Sequence, residues 1–319
     1  MSTEDAWFIA KRLQEILQSR HFNKDDFEGR PLKLSQAFCL LWQNKENGEV
    51  SGRQRSGRTA NAAVLAVLLD LFALGKIEFE AQVKQWIALE RRREITYVKV
   101  IDPSPTCTFL DKALFSGILY NYNYNHDNPK TLEEWILQGS YLNPTCATQV
   151  LDSLVEAKIF GKTSVLFWKK YPTINPEPEA KLVKELRSIA LQGRVADGYM
   201  WTLIKLLSDA DTSQFGKRNL LNRHFSNEEF PRAKSRFTSL TFIESESRID
   251  ARQLHFAQEL QVVNDQSKKG GVEVAAVGPS CPPQEVNVAI KKEEQKKSTA
   301  EPEKSKLLNS TIEVSDTVE

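Results

Sequence analysis

Residues 59 to 74 read Thr-Ala-Asn-Ala-Ala-Val-Leu-Ala-Val-Leu-Leu-Asp-Leu-Phe-Ala-Leu, and Gly75 follows them. Ala62 through Leu69 form an unbroken apolar run, continued by Leu71 and Phe72. A helix that is apolar on nearly every face has to be enclosed. The stretch therefore predicts a central helix with other helices wrapped around it. Gly75 is placed to cap it, because only glycine takes a left-handed conformation without cost. Beyond it, Ile77-Glu-Phe-Glu80 alternates as a strand does, and Thr96 to Val100 (Thr-Tyr-Val-Lys-Val) is its expected partner.

Working outward, Ile9, Leu13, Ile16 and Leu17 fall at helical spacing between Asp5 and Ser19. Glu4, Asp5 and Glu15 balance Lys11, Arg12 and Arg20, so this helix is expected to pack on its own domain rather than lie on a membrane. Further helices are expected at Leu34 to Gln43, Phe109 to Tyr122, Leu132 to Gln138 and Thr145 to Ala157. Lys158 to Phe160 and Val165 to Tyr171 read as a β-hairpin turning at Gly161-Lys162, stopped by Pro172, Pro176 and Pro178. Helices at Glu179 to Leu191, Gly198 to Ser208, Phe215 to Arg223 and Glu228 to Thr241 complete the expectation. The fold class is mainly α, a helical domain around a buried central helix with one or two small β-hairpins.

Composition limits what the chain does. Its 319 residues carry a formal net charge of +1. A protein that coats DNA or RNA needs a large basic excess to neutralise phosphates. No run of about 18 apolar residues occurs, as a membrane-spanning helix requires. The N-terminus is acidic, unlike a secretory signal. Cys39, Cys107, Cys146 and Cys281 are widely spaced and form no CxxC pair, which points to a reducing, cytoplasmic setting without disulfides or a zinc ribbon. His21, His126, His224 and His255 are isolated, and no GxGxxG or GxxxxGK[ST] loop is present. No catalytic constellation, metal site or cofactor is expected. Asp111 reads as a partner for a helix N-terminus rather than a base. Tyr120-Asn-Tyr-Asn-Tyr-Asn125 reads as a helix end.

After Phe256 there is no aromatic residue, while Gly270-Gly271, Pro279, Pro282-Pro283 and clusters of Lys and Glu recur. Such a segment cannot bury enough apolar surface to offset its ordering entropy. The expected organisation is an N-terminal helical segment at 1–31, a domain at 32–245 and a disordered charged tail at 246–319. Ile290-Lys-Lys-Glu293 in that tail has the pattern of a SUMO acceptor but is expected to be a solvated charge run.

Leu32-Lys-Leu-Ser-Gln-Ala-Phe-Cys-Leu-Leu41 and Leu68-Leu-Asp-Leu-Phe-Ala-Leu-Gly-Lys-Ile-Glu-Phe-Glu80 resemble two motifs of the Golgi phosphoprotein 3 family, "LxLxEExLLL" and "LxELALRGRIxLE". The similarity continues in order through Thr106, Leu110-Asp-Lys-Ala-Leu114, Glu134-Trp-Ile-Leu137, Leu154-Val-Glu-Ala-Lys-Ile159 and Val165-Leu-Phe-Trp168 with Tyr171-Pro172. The resemblance implies a non-enzymatic, peripheral protein of the cytoplasmic Golgi surface. It implies binding of phosphatidylinositol 4-phosphate in a shallow basic pocket, with an apolar hairpin beside it on the membrane. It also implies glycosyltransferase cytosolic tails and coatomer as partners in vesicle trafficking. The near-zero net charge separately leaves nucleic acid out of the expected partners.

The family's phosphate site uses a tryptophan and three arginines. In ungapped alignment those positions hold Arg55, Val64, Pro144 and Ala147 here. Charge-assisted phosphate contacts need cationic donors. The candidate headgroup ligands therefore move to Arg53, Arg55 and Arg58, in the loop entering the central helix, where free backbone N–H groups favour an anion. The same string makes Ser56 a basophilic kinase pattern. The candidate membrane-contacting hairpin is Val165, Leu166, Phe167, Trp168, Lys169 and Lys170, aromatic rings next to lysines. Two other readings stand beside this one: a scaffold that binds proteins without lipid, and a winged-helix nucleic-acid binder with 145–157 as recognition helix.

Overall fold

The computed structural model describes residues 3–50, 57–86, 91–125, 128–141, 144–165, 168–210 and 220–242. The chain divides into Met1–Glu259 and Leu260–Glu319, and every described residue belongs to the first part. The expected tail, Ile290–Glu293, Cys281, Arg53, Arg55, Ser56, Leu166 and Phe167 lie outside the described residues.

The architecture is mainly helical, with two small antiparallel two-stranded sheets. In chain order the helices are α1 (Thr3–Leu17), α2 (Leu34–Trp42), α3 (Arg58–Ala73), α4 (Ser116–Tyr124), α5 (Leu132–Tyr141), α6 (Cys146–Glu156), α7 (Glu177–Gln192), α8 (Gly198–Ala210) and α9 (Phe230–Phe242). β1 (Ile77–Trp86) pairs with β2 (Arg91–Val100), and β3 (Thr163–Val165) with β4 (Trp168–Lys170). Among the described residues, no helix is long and apolar enough to cross a membrane.

The central helix is α3. Every residue from Ala60 to Leu71 is buried, Asn61 and Asp70 included. It packs against α1, α2, α5, α6 and α8. Each fully buried Leu or Val contributes roughly 1.5–3 kcal/mol, so the run at 62–69 anchors the domain. Gly75 takes φ +69° just past the helix, and Lys76 N–H returns to Leu71 O at 3.0 Å. α1 buries Ala6, Ile9, Ala10, Leu13 and Ile16 and touches α3, α5 and α8.

Three expectations are corrected. The first sheet is twice as long as its alternation suggests: Ile77 pairs with Val100 and Trp86 with Arg91. Lys76 Nζ closes its base by binding Asp102 Oδ2 at 2.5 Å and Ser104 Oγ at 2.7 Å. The second hairpin does not turn at Gly161-Lys162. Phe160 bridges Thr173 and Gly161 N–H donates to Pro172 O at 2.7 Å, so the chain stays extended through Gly161. The turn comes between Val165 and Trp168, which pair with each other. Of the helix expected at 215–223, residues 215–219 lie outside the described residues, and Asn222–His224 form a single 3₁₀ turn. Asp111 begins a π-helical turn (Asp111–Phe115), and its carboxylate accepts Thr106 N–H at 2.9 Å from the preceding loop.

Candidate membrane-facing site

Arg58 is the first residue of α3. Gly57 precedes it as N-cap with no side-chain hydrogen bond, and no acidic residue stands in the first turn. The N–H groups that open a helix lack intrahelical partners and carry the positive end of its dipole. Here no capping oxygen from the N-cap residue meets them. The Arg58 guanidinium lies 4.3 Å from the centre of the Phe8 ring on α1, and that ring also takes Arg12 at 4.5 Å. Thr59 Oγ1 donates to Ala210 O at 3.4 Å, which ties the same turn to the end of α8. One turn further in, Ser140 Oγ donates to Asn61 Oδ1 at 2.7 Å in the core.

Around this turn the charges of α1 and α8 interlock. Arg12 pairs with Glu15 at 2.6 Å and with Asp209 at 3.5 Å, and Lys205 reaches both acids at 3.4 Å. Burial pushes the Asp209 carboxyl above its ordinary range against the pull of Lys205 and Arg12. At Glu15 burial acts upward too, but Arg12 and Lys205 outweigh it and hold the carboxyl low.

Two of the positions where the family carries arginine are dry. Val64 is fully buried on α3 and Ala147 is buried on α6. A Cβ on Gly139 of α5 would sit 2.8 Å from Val64 Cγ1, so the two helices touch there with no room for a headgroup. Pro144 offers no N–H. The structure thus places Arg58 at the start of α3, while two of the inherited pocket positions, Val64 and Ala147, lie in packed interior.

The β3–β4 hairpin is clamped at its base. Tyr171 N–H donates to Gly48 O at 2.7 Å, Gln43 Nε2 donates to Tyr171 O at 2.7 Å, and the Tyr171 hydroxyl meets Asp152 Oδ1 at 3.1 Å. Lys162 donates to both oxygens of the Asp152 carboxylate, Oδ1 at 2.7 Å and Oδ2 at 2.8 Å, and Lys170 pairs with Glu49 at 3.0 Å. Gly48 has φ +69°, and a Cβ there would come within 2.8 Å of Pro172 N, so only glycine allows this close approach. Of the two candidate lysines, Lys170 is occupied by Glu49, whereas Lys169 is exposed and makes no ion pair among the described residues.

Sequence reasoning missed a second concavity. A groove of about 1080 Å³ runs along α7, between Arg30 and Tyr199 at one side and Lys45, Arg223 and His224 at the other. Arg223 donates to the carbonyls of Trp42 and Gln43 at 3.1 and 3.2 Å, and His224 Nε2 lies 3.4 Å from Leu41 O. These two residues close the C-terminus of α2. Burial, with Arg223 beside it, drives the His224 pKa down to about 4, so the ring is neutral at pH 7.

Burial pushes the Cys39 and Cys146 thiols well above their ordinary range, which keeps them protonated and poorly nucleophilic. Among the described residues there is no group of three or more His, Cys, Asp or Glu poised for a metal. α6, the recognition helix of the winged-helix reading, packs on α2 and α3. Its outward positions are Gln149, Asp152, Val155 and Glu156, of which the two carboxylates would repel phosphate.

No curated protein matches the chain. A model of Golgi phosphoprotein 3 matches residues 34–247, about two thirds of the sequence. With the buried central helix, the flanking strand pair and the clamped hairpin all inside that span, the chain belongs to the Golgi phosphoprotein 3 family.

Proposed function

We propose that this chain is a peripheral membrane protein of the cytoplasmic Golgi face that docks on acidic phosphoinositides, with phosphatidylinositol 4-phosphate as the expected ligand. Arg58, joined by Arg53 and Arg55 of the adjoining loop, supplies the cations for the headgroup at the start of α3. The hairpin ending in Val165, Leu166, Phe167 and Trp168 contacts the bilayer, with Lys169 toward lipid phosphates. The observation that carries this reading is the clamp at Tyr171. It fixes the base of the hairpin to Gly48, Gln43 and Asp152, so its apolar end is held on a rigid stem. Family membership supports the Golgi setting. Retention of glycosyltransferases through their cytosolic tails, together with coatomer, is the trafficking role that follows from it.

The lipid-independent scaffold is favoured by a different observation, the dry packing of Val64 and Ala147. Co-sedimentation of the full chain with phosphatidylcholine vesicles, with and without phosphatidylinositol 4-phosphate, separates the two. Each arginine near an anionic surface is worth about 1 kcal/mol. Arg53/Arg55/Arg58→Ala should therefore weaken binding by roughly a hundredfold, and Phe167/Trp168→Ala should weaken it on both vesicle types. Absence of binding by the unaltered chain would establish the scaffold instead.

A further inference from the structure

The groove along α7 adjoins a second cavity of about 500 Å³, and the two share Lys45, Glu179, Arg223 and His224 in their walls. Glu179 stands out among these. It lies in the first turn of α7 and is only 6% exposed, and its carboxylate makes no hydrogen bond or ion pair among the described residues. Burial raises its carboxyl above the ordinary range, although Lys45 and Arg223 pull it down. A buried carboxylate without a donor is costly, so one that lines a cavity calls for a ligand that brings the donor.

The other acids of the two walls are accounted for. Glu177 pairs with Lys181 and Glu185 with Arg30, while Glu46 is exposed. Gln43, buried in the wall of the smaller cavity, also has no partner for its Oε1. Lys45 supplies the opposite sign. It is exposed and its charge is felt at Glu179, yet the two do not meet in an ion pair. Opposite charges that line one cavity without closing on each other leave a slot for a group that carries both signs in reverse. Arg223 is engaged by the carbonyls of Trp42 and Gln43, and His224 is neutral at pH 7, so neither fills the slot.

We infer that the junction of the two cavities binds a free α-amino acid with an apolar side chain. Its ammonium donates to Glu179, its carboxylate accepts from Lys45, and its side chain lies against Leu182 and Ile159 in the larger cavity. This goes beyond the membrane reading and does not depend on it. Charge complementarity names the occupant. A free amino acid carries ammonium and carboxylate on one carbon, whereas an internal peptide segment has neither and a peptide N-terminus only the first. Leu182 stands one turn on from Glu179 along α7, so the apolar wall begins next to the charged one. A cavity of some hundreds of Å³ is the usual size for a small-molecule site.

The test is calorimetric titration of the full chain with L-leucine, at concentrations up to about 10 mM. Binding is expected. N-acetyl-leucine, which lacks the ammonium, and leucinamide, which lacks the carboxylate, should each bind at least about tenfold more weakly, because each loses a charge-assisted contact. Glycine, without the side chain, should bind about tenfold more weakly as well. Glu179→Gln should weaken leucine binding by roughly tenfold or more, yet raise the melting temperature, because it removes an uncompensated buried charge. Lys45→Ala, an exposed change, should weaken binding by about tenfold and leave melting unaltered, which carries the test should Glu179→Gln fold poorly. Absence of leucine binding overturns the inference, as does equal binding of N-acetyl-leucine or unchanged binding in both variants. Leucinamide or a leucyl peptide binding as tightly as leucine overturns it in favour of a peptide amino terminus.

Discussion

The Asp70 carboxylate, in the last turn of α3, caps the start of α2: it accepts Ser35 N–H at 2.9 Å and Ser35 Oγ–H at 2.6 Å through one oxygen, and Leu34 N–H at 2.8 Å through the other. Lys33, the residue at the N-cap position, makes no side-chain cap bond of its own. A tertiary contact thus replaces the usual local one. Burial raises the Asp70 pKa to about 6 although these three bonds favour the charged form.

The raised value fixes the sign of a pH effect. An acid with a folded pKa above its unfolded one binds protons more tightly when folded, so stability falls as pH rises between about 4 and 6 and is level above. Asp70 alone would contribute a fall of about 3 kcal/mol. His224 acts oppositely: its depressed pKa makes stability rise between about pH 4 and 6.5. The two offset each other in the native chain. Asp70→Asn should therefore turn the profile upward across this window, and His224→Gln should turn it downward. Urea midpoints measured from pH 4 to 7 check both slopes; parallel profiles for all three proteins would refute the assignment.

Gly48 and Gly75 share nearly the same backbone angle, but only Gly48 lies against another segment. Gly75→Ala should cost about 1 kcal/mol, the conformational penalty alone. Gly48→Ala adds the clash with Pro172 and should cost at least about 2 kcal/mol more, together with loss of protection at Tyr171 N–H in hydrogen exchange. Equal costs for the two would show that the hairpin base is not held by that approach.

Restoring a family arginine should not restore a family site. Val64→Arg places a charge where α3 meets α5 without a partner, and is expected to destabilise by about 3–5 kcal/mol. Thermal melting reads that loss, and vesicle binding should not improve. A stable Val64→Arg protein with tighter lipid binding would show that the pocket opens at its inherited place.

Much of the fold was legible because it is written locally. α3 announces itself by an apolar run that leaves no wet face, and α6 by Thr145, whose hydroxyl accepts Thr148 N–H at 3.2 Å as an N-cap. The hairpin turn was misplaced because Gly161-Lys162 has turn composition, while the register is set by Gly48, Gln43 and Asp152, far away in sequence. The second half of the first sheet lacks alternation, so pairing of Gln82 with Ile95 is dictated by the partner strand rather than by pattern. At the candidate site, the arginine string was visible as charge. The seating of Arg58 on Phe8 was not, because it needs α1 to pack beside α3.

The cap that Arg223 and His224 place on α2 also has a temporal side. Helix α2 leaves the ribosome about 180 residues before the side chains that finish it. At roughly 5–20 residues per second, its last carbonyls and the apolar length of α3 wait on the order of 10–40 s for completion. Until α8 is made, the nascent chain presents its central helix without that cover. The span from Leu34 to His224 is thus a sequence that has to be finished before it can be folded, and any shortened product ending before Arg223 is expected to be a client of chaperones rather than a smaller domain.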